Sequence, residues 1–297
     1  MTLHTEASAY PTETQSPNGR YVVPGASRWL LDVFGYRHLL SLLLKKGTTT
    51  RYYGSVLGWA WSYVKPAAQF FMYYVMIGKV LGVSRGMELY PLYLFSGIVL
   101  LNFFGEATRA ATNSITGNAA LVKKIYLPRE LFPVAAVGSA FIHFVPQVVL
   151  LFVICLLFGW QFSWIGLLCF VVAIVMVFVF TLGLGLFFGA INVAYRDAKN
   201  IIDVALMFSI WMSPVMYTHD MIRDLVPAWL YNLYLVNPMT VSVELFHRAF
   251  WVPLVSDANL PDYMLTNTLG GLGIALGTLL IGQVVFRRLE GDFAQDL

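Results

Sequence analysis

Long apolar runs, separated by short segments that are polar, basic or broken by proline, set the pattern of this chain. Stretches such as VVLLFVICLLFGW (148–160) do not alternate between apolar and polar positions. They therefore fit helices and not the strands of a membrane barrel, whose segments alternate over about 10 residues. A helix needs about 20 apolar residues to cross a hydrocarbon layer of about 30 Å. Six spans fit best, at roughly 67–84, 91–112, 132–158, 164–191, 201–217 and 267–286. The fifth is the weakest, because Asp203 opens it and Ser213-Pro214 breaks its end.

Two regions outside these spans carry a pattern of their own. Residues 27–46 place Leu30, Val33, Phe34, Leu40, Leu43 and Leu44 along one helical face, with Arg28, Asp32, His38, Ser41 and Lys45 mostly opposite. That predicts an amphipathic helix lying in the membrane interface, with Ser27 as an N-cap. Residues 218–266 form the longest connection and scatter Pro227, Pro238, Pro253 and Pro261 among Trp229, Tyr231, Tyr234, Phe250 and Trp251. Short aromatic helices dipping into the outer leaflet suit that composition better than a free loop. Residues 1–26 are polar, lack the apolar core of a signal peptide and read as a disordered tail.

Composition narrows the class. The 297 residues are 58% hydrophobic, 15% aromatic and only 12% charged, with a mean hydropathy of +0.69. Soluble domains carry about 25% charged residues, so the chain reads as an all-α integral membrane protein. A net charge of +3 is too small to imply a nucleic-acid partner. Cys155 and Cys169 both fall in apolar runs and read as buried small hydrophobes. Seven Lys and Arg precede the first span, and three lie in the second-to-third loop (Lys123, Lys124, Arg129). Arg196, Lys199, Arg287 and Arg288 join that side, whereas the other side has Arg85, Arg223 and Arg248. The positive-inside bias then puts both termini in the cytoplasm.

Chemistry is sparse. The chain has no GxxxxGK[ST] phosphate loop. Glu106 and Arg109 stand three apart on one helix face and read as a local ion pair, with Arg109 reaching the interface. His143, near Pro146 and Gln147, reads as a packing histidine. Asp220 and Asp224 are one helical turn apart but form no DxD, so a membrane glycosyltransferase finds weak support. Two GxxxG patterns, Gly185 to Gly189 and Gly273 to Gly277, allow close helix approach. Aromatic density is more suggestive: Trp59, Trp61 and Tyr63 precede the first span, and Phe70, Tyr73 and Tyr74 run into it. Rings at that depth suit a path for sugars, whose flat apolar faces stack on them.

Several short motifs then coincide. Arg51-Tyr52-Tyr53-Gly54-Ser55-Val56-Leu57-Gly58-Trp59-Ala60-Trp61, followed by Pro66, resembles the opening of the membrane subunits of polysaccharide-exporting type-2 ABC transporters. The resemblance continues at Tyr90-Pro91, Asn102 to Glu106, Asn113 to Ile115 and Tyr195-Arg196-Asp197. It is closest over 118–130, NAALVKKIYLPRE, and returns in the tail from Phe286 to Ala294. It covers about residues 27–297. Tyr53 and Lys65 depart from the family pattern, where a basic residue and Asn are common. The resemblance implies a homodimer of six-span subunits, each with an interfacial helix and external gate helices between spans five and six. It also implies two copies of a separate ATPase that holds ATP and Mg, with no cofactor in this chain.

In that family, the loop matching 118–130 is the coupling helix. Leu121, Lys123, Lys124, Ile125, Tyr126, Leu127, Pro128, Arg129 and Glu130 would then grip the ATPase, with Pro128 ending the helix. Arg28, Lys45, Lys46 and Arg51 would attract the diphosphate of a lipid-linked glycan. The aromatic set Trp59, Trp61, Tyr63, Phe70, Tyr73 and Tyr74 would line its path. The substrate leans toward a cell-wall galactan or an O-antigen-like glycan. The rival readings are a small-molecule or drug permease of the same superfamily and the membrane glycosyltransferase.

Overall fold

The computed structural model describes residues 30–50, 54–124, 127–256 and 260–297. In chain order the helices are α1 (Arg37–Thr50), α2 (Trp61–Tyr73), α3 (Tyr90–Thr112), α4 (Ala119–Lys124), α5 (Leu131–Leu157) and α6 (Trp164–Ala194). There follow α7 (Ala198–Ser209), α8 (His219–Arg223), α9 (Ala228–Leu235), α10 (Pro238–Phe250), α11 (Met264–Leu289) and α12 (Phe293–Asp296). A 3₁₀ turn over Leu30–Tyr36 leads into α1, and α2 continues as a π-helix over Tyr74–Val80. Among the described residues the regular structure is entirely helical. The tail 1–26, Arg28, Arg51, Ile125 and Tyr126 lie outside the described residues.

Four helices, α3, α5, α6 and α11, are long and apolar enough to cross a membrane. They match the second, third, fourth and sixth spans read from hydropathy. Enclosure separates them: 78% of the apolar stretch of α3 is buried, against 28% for α11. The bundle is therefore built around α3, with α5 and α6 packed on it and α11 packed on α6.

The tightest joint is between α6 and α11. A Cβ on Gly183 would stand 2.6 Å from the Leu279 amide nitrogen, and one on Gly282 would collide with the Gly183 carbonyl. Small residues let helix backbones meet directly in lipid, where packing replaces the hydrophobic drive. The two GxxxG patterns divide. Gly185 and Gly189 pack on Ala111 of α3, whereas Gly273 and Gly277 face open space.

The segment expected to form the fifth span is not among the four long helices. Its helix, α7, ends after 12 residues, and residues 210–217 leave helical geometry while Ile210, Val215 and Met216 stay buried. Non-helical backbone at membrane depth must find donors within the protein. Two tyrosines at the start of α3 supply them. Tyr90 Oη donates to the Met216 carbonyl at 3.0 Å, and Tyr93 Oη to those of Pro214 and Tyr217 at 2.9 and 3.0 Å. Thr240 Oγ1 serves Met212, and Tyr217 Oη serves Trp211. Pro214 stops the helix, and α3 caps the break.

The interfacial helix expected over 27–46 extends to Thr50 and packs on α5. A Cβ on Gly138 would press on Leu44 at 2.8 Å, which shows how closely the two approach. The stretch 218–266 does contain short helices, α8, α9 and α10. Of these, α10 is buried against α6, α3 and α11 almost throughout.

Candidate functional site

The two ends of the bundle differ in kind. At the end holding α4, a groove of about 850 Å³ opens between α1, α2, α3 and α5. Each of three helices presents a polar stripe to it: Trp61, Lys65 and Gln69 from α2; Asn102, Glu106, Arg109 and Asn113 from α3; Ser139, His143 and Gln147 from α5. The spacings are four and three residues, so each set occupies one helical face. This signal is present in the sequence. Glu106–Arg109 and His143–Gln147 are legible there as separate pairs, and only the packing shows that their helices share one cleft. Lys46 and Lys65 add positive charge to its wall.

The ion pair of Arg109 runs outward. Its Nε donates to Asp203 Oδ1 of α7 at 2.9 Å, with both side chains half exposed. Arg109, read from the sequence as the partner of Glu106, thus also makes an interhelical tie to α7. An exposed pair of this kind contributes about 0–1 kcal/mol, so it orients α7 more than it stabilises the fold.

The loop that carries α4 is pinned on three sides. Lys46 Nζ of α1 donates to Asn118 Oδ1 at 2.8 Å. Asn192 Nδ2, near the end of α6, donates to the Thr112 carbonyl at 3.2 Å and to Thr116 Oγ1 at 3.3 Å. Gln283 Nε2 of α11 donates to Glu130 Oε1 at 3.1 Å. Between these pins Lys123 and Lys124 are exposed, whereas Val122, Pro128 and Glu130 are buried. Glu130, expected among the gripping residues, is fully enclosed and serves the protein's own packing. Arg129 places its guanidinium over the Phe293 ring of α12, 5.6 Å from the centroid. Helix α4 is described as far as Lys124, and residues 125–126, between it and Leu127, lie outside the described residues. Leu121 and Leu127 are partly buried.

The aromatic set is dispersed. Trp61 borders the groove. Trp59 lies against the His143 ring at 5.2 Å, and Tyr63 is exposed. Phe70 stacks with Tyr74 and meets Phe95 of α3 edge-on, while Tyr74 stacks toward Tyr90. Tyr73 is half buried. Phe70 and Tyr74 therefore glue α2 to α3. Lys45 is exposed on α1.

The opposite end is closed by a buried polar knot. His247 of α10 stacks on Tyr93 with centroids 3.7 Å apart, and its Nε2 lies 3.2 Å from the Tyr93 carbonyl oxygen. Glu244, buried on the same helix, lies between His219 Nδ1 at 3.6 Å and His247 Nδ1 at 3.7 Å. Trp251 Nε1 donates to the Glu88 carbonyl, and Trp160 Nε1 to that of Ala249, each at 2.9 Å. Of this knot the sequence shows the aromatics but not their partners, which come from up to 163 residues away.

Comparison with known proteins gives a family and several relatives. Residues 38–251 match the model of the family described as ABC-2 type transporter. The O-antigen export system permease protein RfbA of Myxococcus xanthus is 24% identical over 270 residues, covering 91% of this chain and 99% of that protein. The protein of the same name from Klebsiella pneumoniae is 26% identical, over 87% and 95% of the two chains. The polysialic acid transport protein KpsM of Escherichia coli is 22% identical, over 81% and 89%.

Proposed function

The chain belongs to the ABC-2 type transporter family, and from that premise we propose that it is the permease subunit of an ATP-driven polysaccharide exporter. The observation that carries this reading is the nearly end-to-end similarity to an O-antigen export permease, 99% of whose length is matched. The substrate is a glycan on a polyprenyl diphosphate, of the cell-wall galactan or O-antigen class. The subunit works as a homodimer in the inner membrane, with both termini cytoplasmic and six spans. The continuous helix Trp61–Val80 and the broken segment 198–217 supply the two spans beyond the four long helices.

Two ATPase subunits, which hold ATP and Mg, dock on the α4 loops. The exposed Lys123 and Lys124 meet acidic groups on the partner, and the three pins keep the loop from yielding when it is pushed. Differential contacts of the ATPase in its two states supply the free energy, because a permease without such contacts shifts nothing. The diphosphate enters at the groove, where Lys46 and Lys65 offer charge-assisted hydrogen bonds beside the amides of Gln69, Asn102 and Asn113. Trp61 lies where the first sugar ring can stack. The outer knot is the gate: α8, α9 and α10 part from α3 as the protomers separate.

The reading is tested in cells carrying Lys123→Glu with Lys124→Glu. Both side chains are exposed, so the subunit should accumulate normally while the ATPase no longer co-purifies and export falls by about tenfold or more. Full export with the ATPase still bound would remove the docking assignment. Depletion of the chain should leave lipid-linked glycan inside the cell, and its sugar composition identifies the cargo.

A further inference from the structure

The base of the α4 loop contains a buried carboxylate, Glu130, held by a side chain of α11. Glu130 is fully enclosed, its Oε1 accepts from Gln283, and its Oε2 has no hydrogen-bond partner among the described residues. Taking a carboxylate out of water costs several kcal/mol, and a well-packed apolar pair is often as stable or more so. What an amide–carboxylate bond does offer is registry, because it holds only when the two helices stand at one relative height. Here it joins the N-cap of α5 to α11.

The position of Gln283 on α11 adds a second fact. It directly follows Gly282, where an added Cβ would collide with the Gly183 carbonyl of α6, so the two backbones meet with no side chain between them. A displacement delivered to Gln283 therefore meets backbone against backbone, where no rotamer can absorb it. A parallel contact runs through α12. Arg129 covers Phe293, and Phe293 stands perpendicular to Phe286 of α11 with centroids 5.4 Å apart. Phe286 and Phe293 are both buried. The loop thus touches the C-terminal segment twice, once by hydrogen bond and once by ring.

We propose that α11 and α12 form a second transmission arm, in which Gln283 and Phe293 are positioning residues that carry loop movement to the α6–α11 wall. The arm rests on the reading of the α4 loop as the ATPase seat. It acts alongside the direct route, in which the loop pulls on α3 and α5 through the chain itself. A loop tied only to its own flanking helices would tilt them and leave α11 behind. With the arm in place, α11 moves with α5, and the far wall of the subunit follows.

The test uses the assembled complex with its ATPase and reads glycan exported per ATP hydrolysed. Gln283→Leu orphans a buried carboxylate and should reduce the amount of complex, while in the complex that forms the ratio should fall by about tenfold, as expected for a lost coupling contact. The exchange Glu130→Gln with Gln283→Glu rebuilds an amide–carboxylate pair with the roles reversed, and it should bring the ratio back to within about twofold. Phe293→Leu keeps apolar bulk and removes the ring under Arg129. It should lower the ratio by a few-fold, and it serves if Gln283→Leu fails to assemble.

An unchanged ratio in both single variants would overturn the arm. So would a fall in export and hydrolysis strictly in proportion to the amount of complex formed, or an exchange variant that assembles without recovery. A docking failure is separable from these outcomes. It appears as retained ATPase binding in the Lys123→Glu, Lys124→Glu subunit, whatever Gln283 does.

Discussion

The groove end and the knot end of this subunit solve the same problem in opposite ways. Both must place polar groups inside an apolar bundle. At the knot, hydroxyl, indole and imidazole groups are matched to named carbonyls, so Tyr93 alone serves Pro214 and Tyr217 and also stacks on His247. At the groove, the polar stripes of α2, α3 and α5 line a space of about 850 Å³. Side chains tied to buried backbone carbonyls resist opening, whereas a polar-lined space can admit a ligand. The subunit is therefore sealed on the side that holds α10 and receptive on the side that holds α4.

Three perturbations test that contrast, in order of expected size. The largest falls on the wall both ends share. Gly282→Leu would force a side chain into the Gly183 backbone, so the helices must separate along their length. The expected outcome is loss of folded subunit, seen as absence of a monodisperse peak after detergent extraction, whereas Gly277→Leu, in open space, should be tolerated.

The second perturbation separates the ends directly. Tyr93→Phe keeps the ring on His247 and removes the hydroxyl, orphaning buried carbonyls at about 1–3 kcal/mol of stability. Gln69→Ala in the groove should stay within about 0.5 kcal/mol. Thermal unfolding in detergent reads both, and equal effects would erase the distinction.

The smallest effect concerns pH at the groove end. Burial, and after it the nearby Glu130 carboxylate, raise Glu290 to about 7, against the opposing pull of Arg129 and Arg287. The folded protein therefore holds a proton that the unfolded chain releases from about pH 4.5 upward. The stability linked to this group is fully present below that value and is lost as pH rises to about 7. A modest fall in Tm over that window should flatten in Glu290→Gln.

How legible was this in the residues themselves? The four long helices match the hydropathy reading to within a few residues, because a span of lipid demands an unbroken apolar run whatever surrounds it. The fifth span marked its own weakness with Ser213-Pro214. Where its freed carbonyls would go was invisible, since Tyr90 and Tyr93 lie more than a hundred residues earlier. The aromatic set illustrates the converse. Rings at the right depth suggested a sugar path, yet Phe70 and Tyr74 turn to α3 and Trp61 borders the groove. Depth is a property of sequence position, but direction depends on the neighbour.

Taken alone, the sequence determined membrane class, the long spans, the basic face and the exposed lysines of the α4 loop. Each of these follows from transfer between water and lipid, which acts residue by residue. Tertiary structure decided which polar stripes converge into a groove, which tyrosines heal a broken span and why Glu130 turns inward to Gln283. Those outcomes depend on how helices distant in sequence are rotated and set against one another. That rotation is fixed by contacts such as Gly183 on Gly282, which become visible only when both partners are in place.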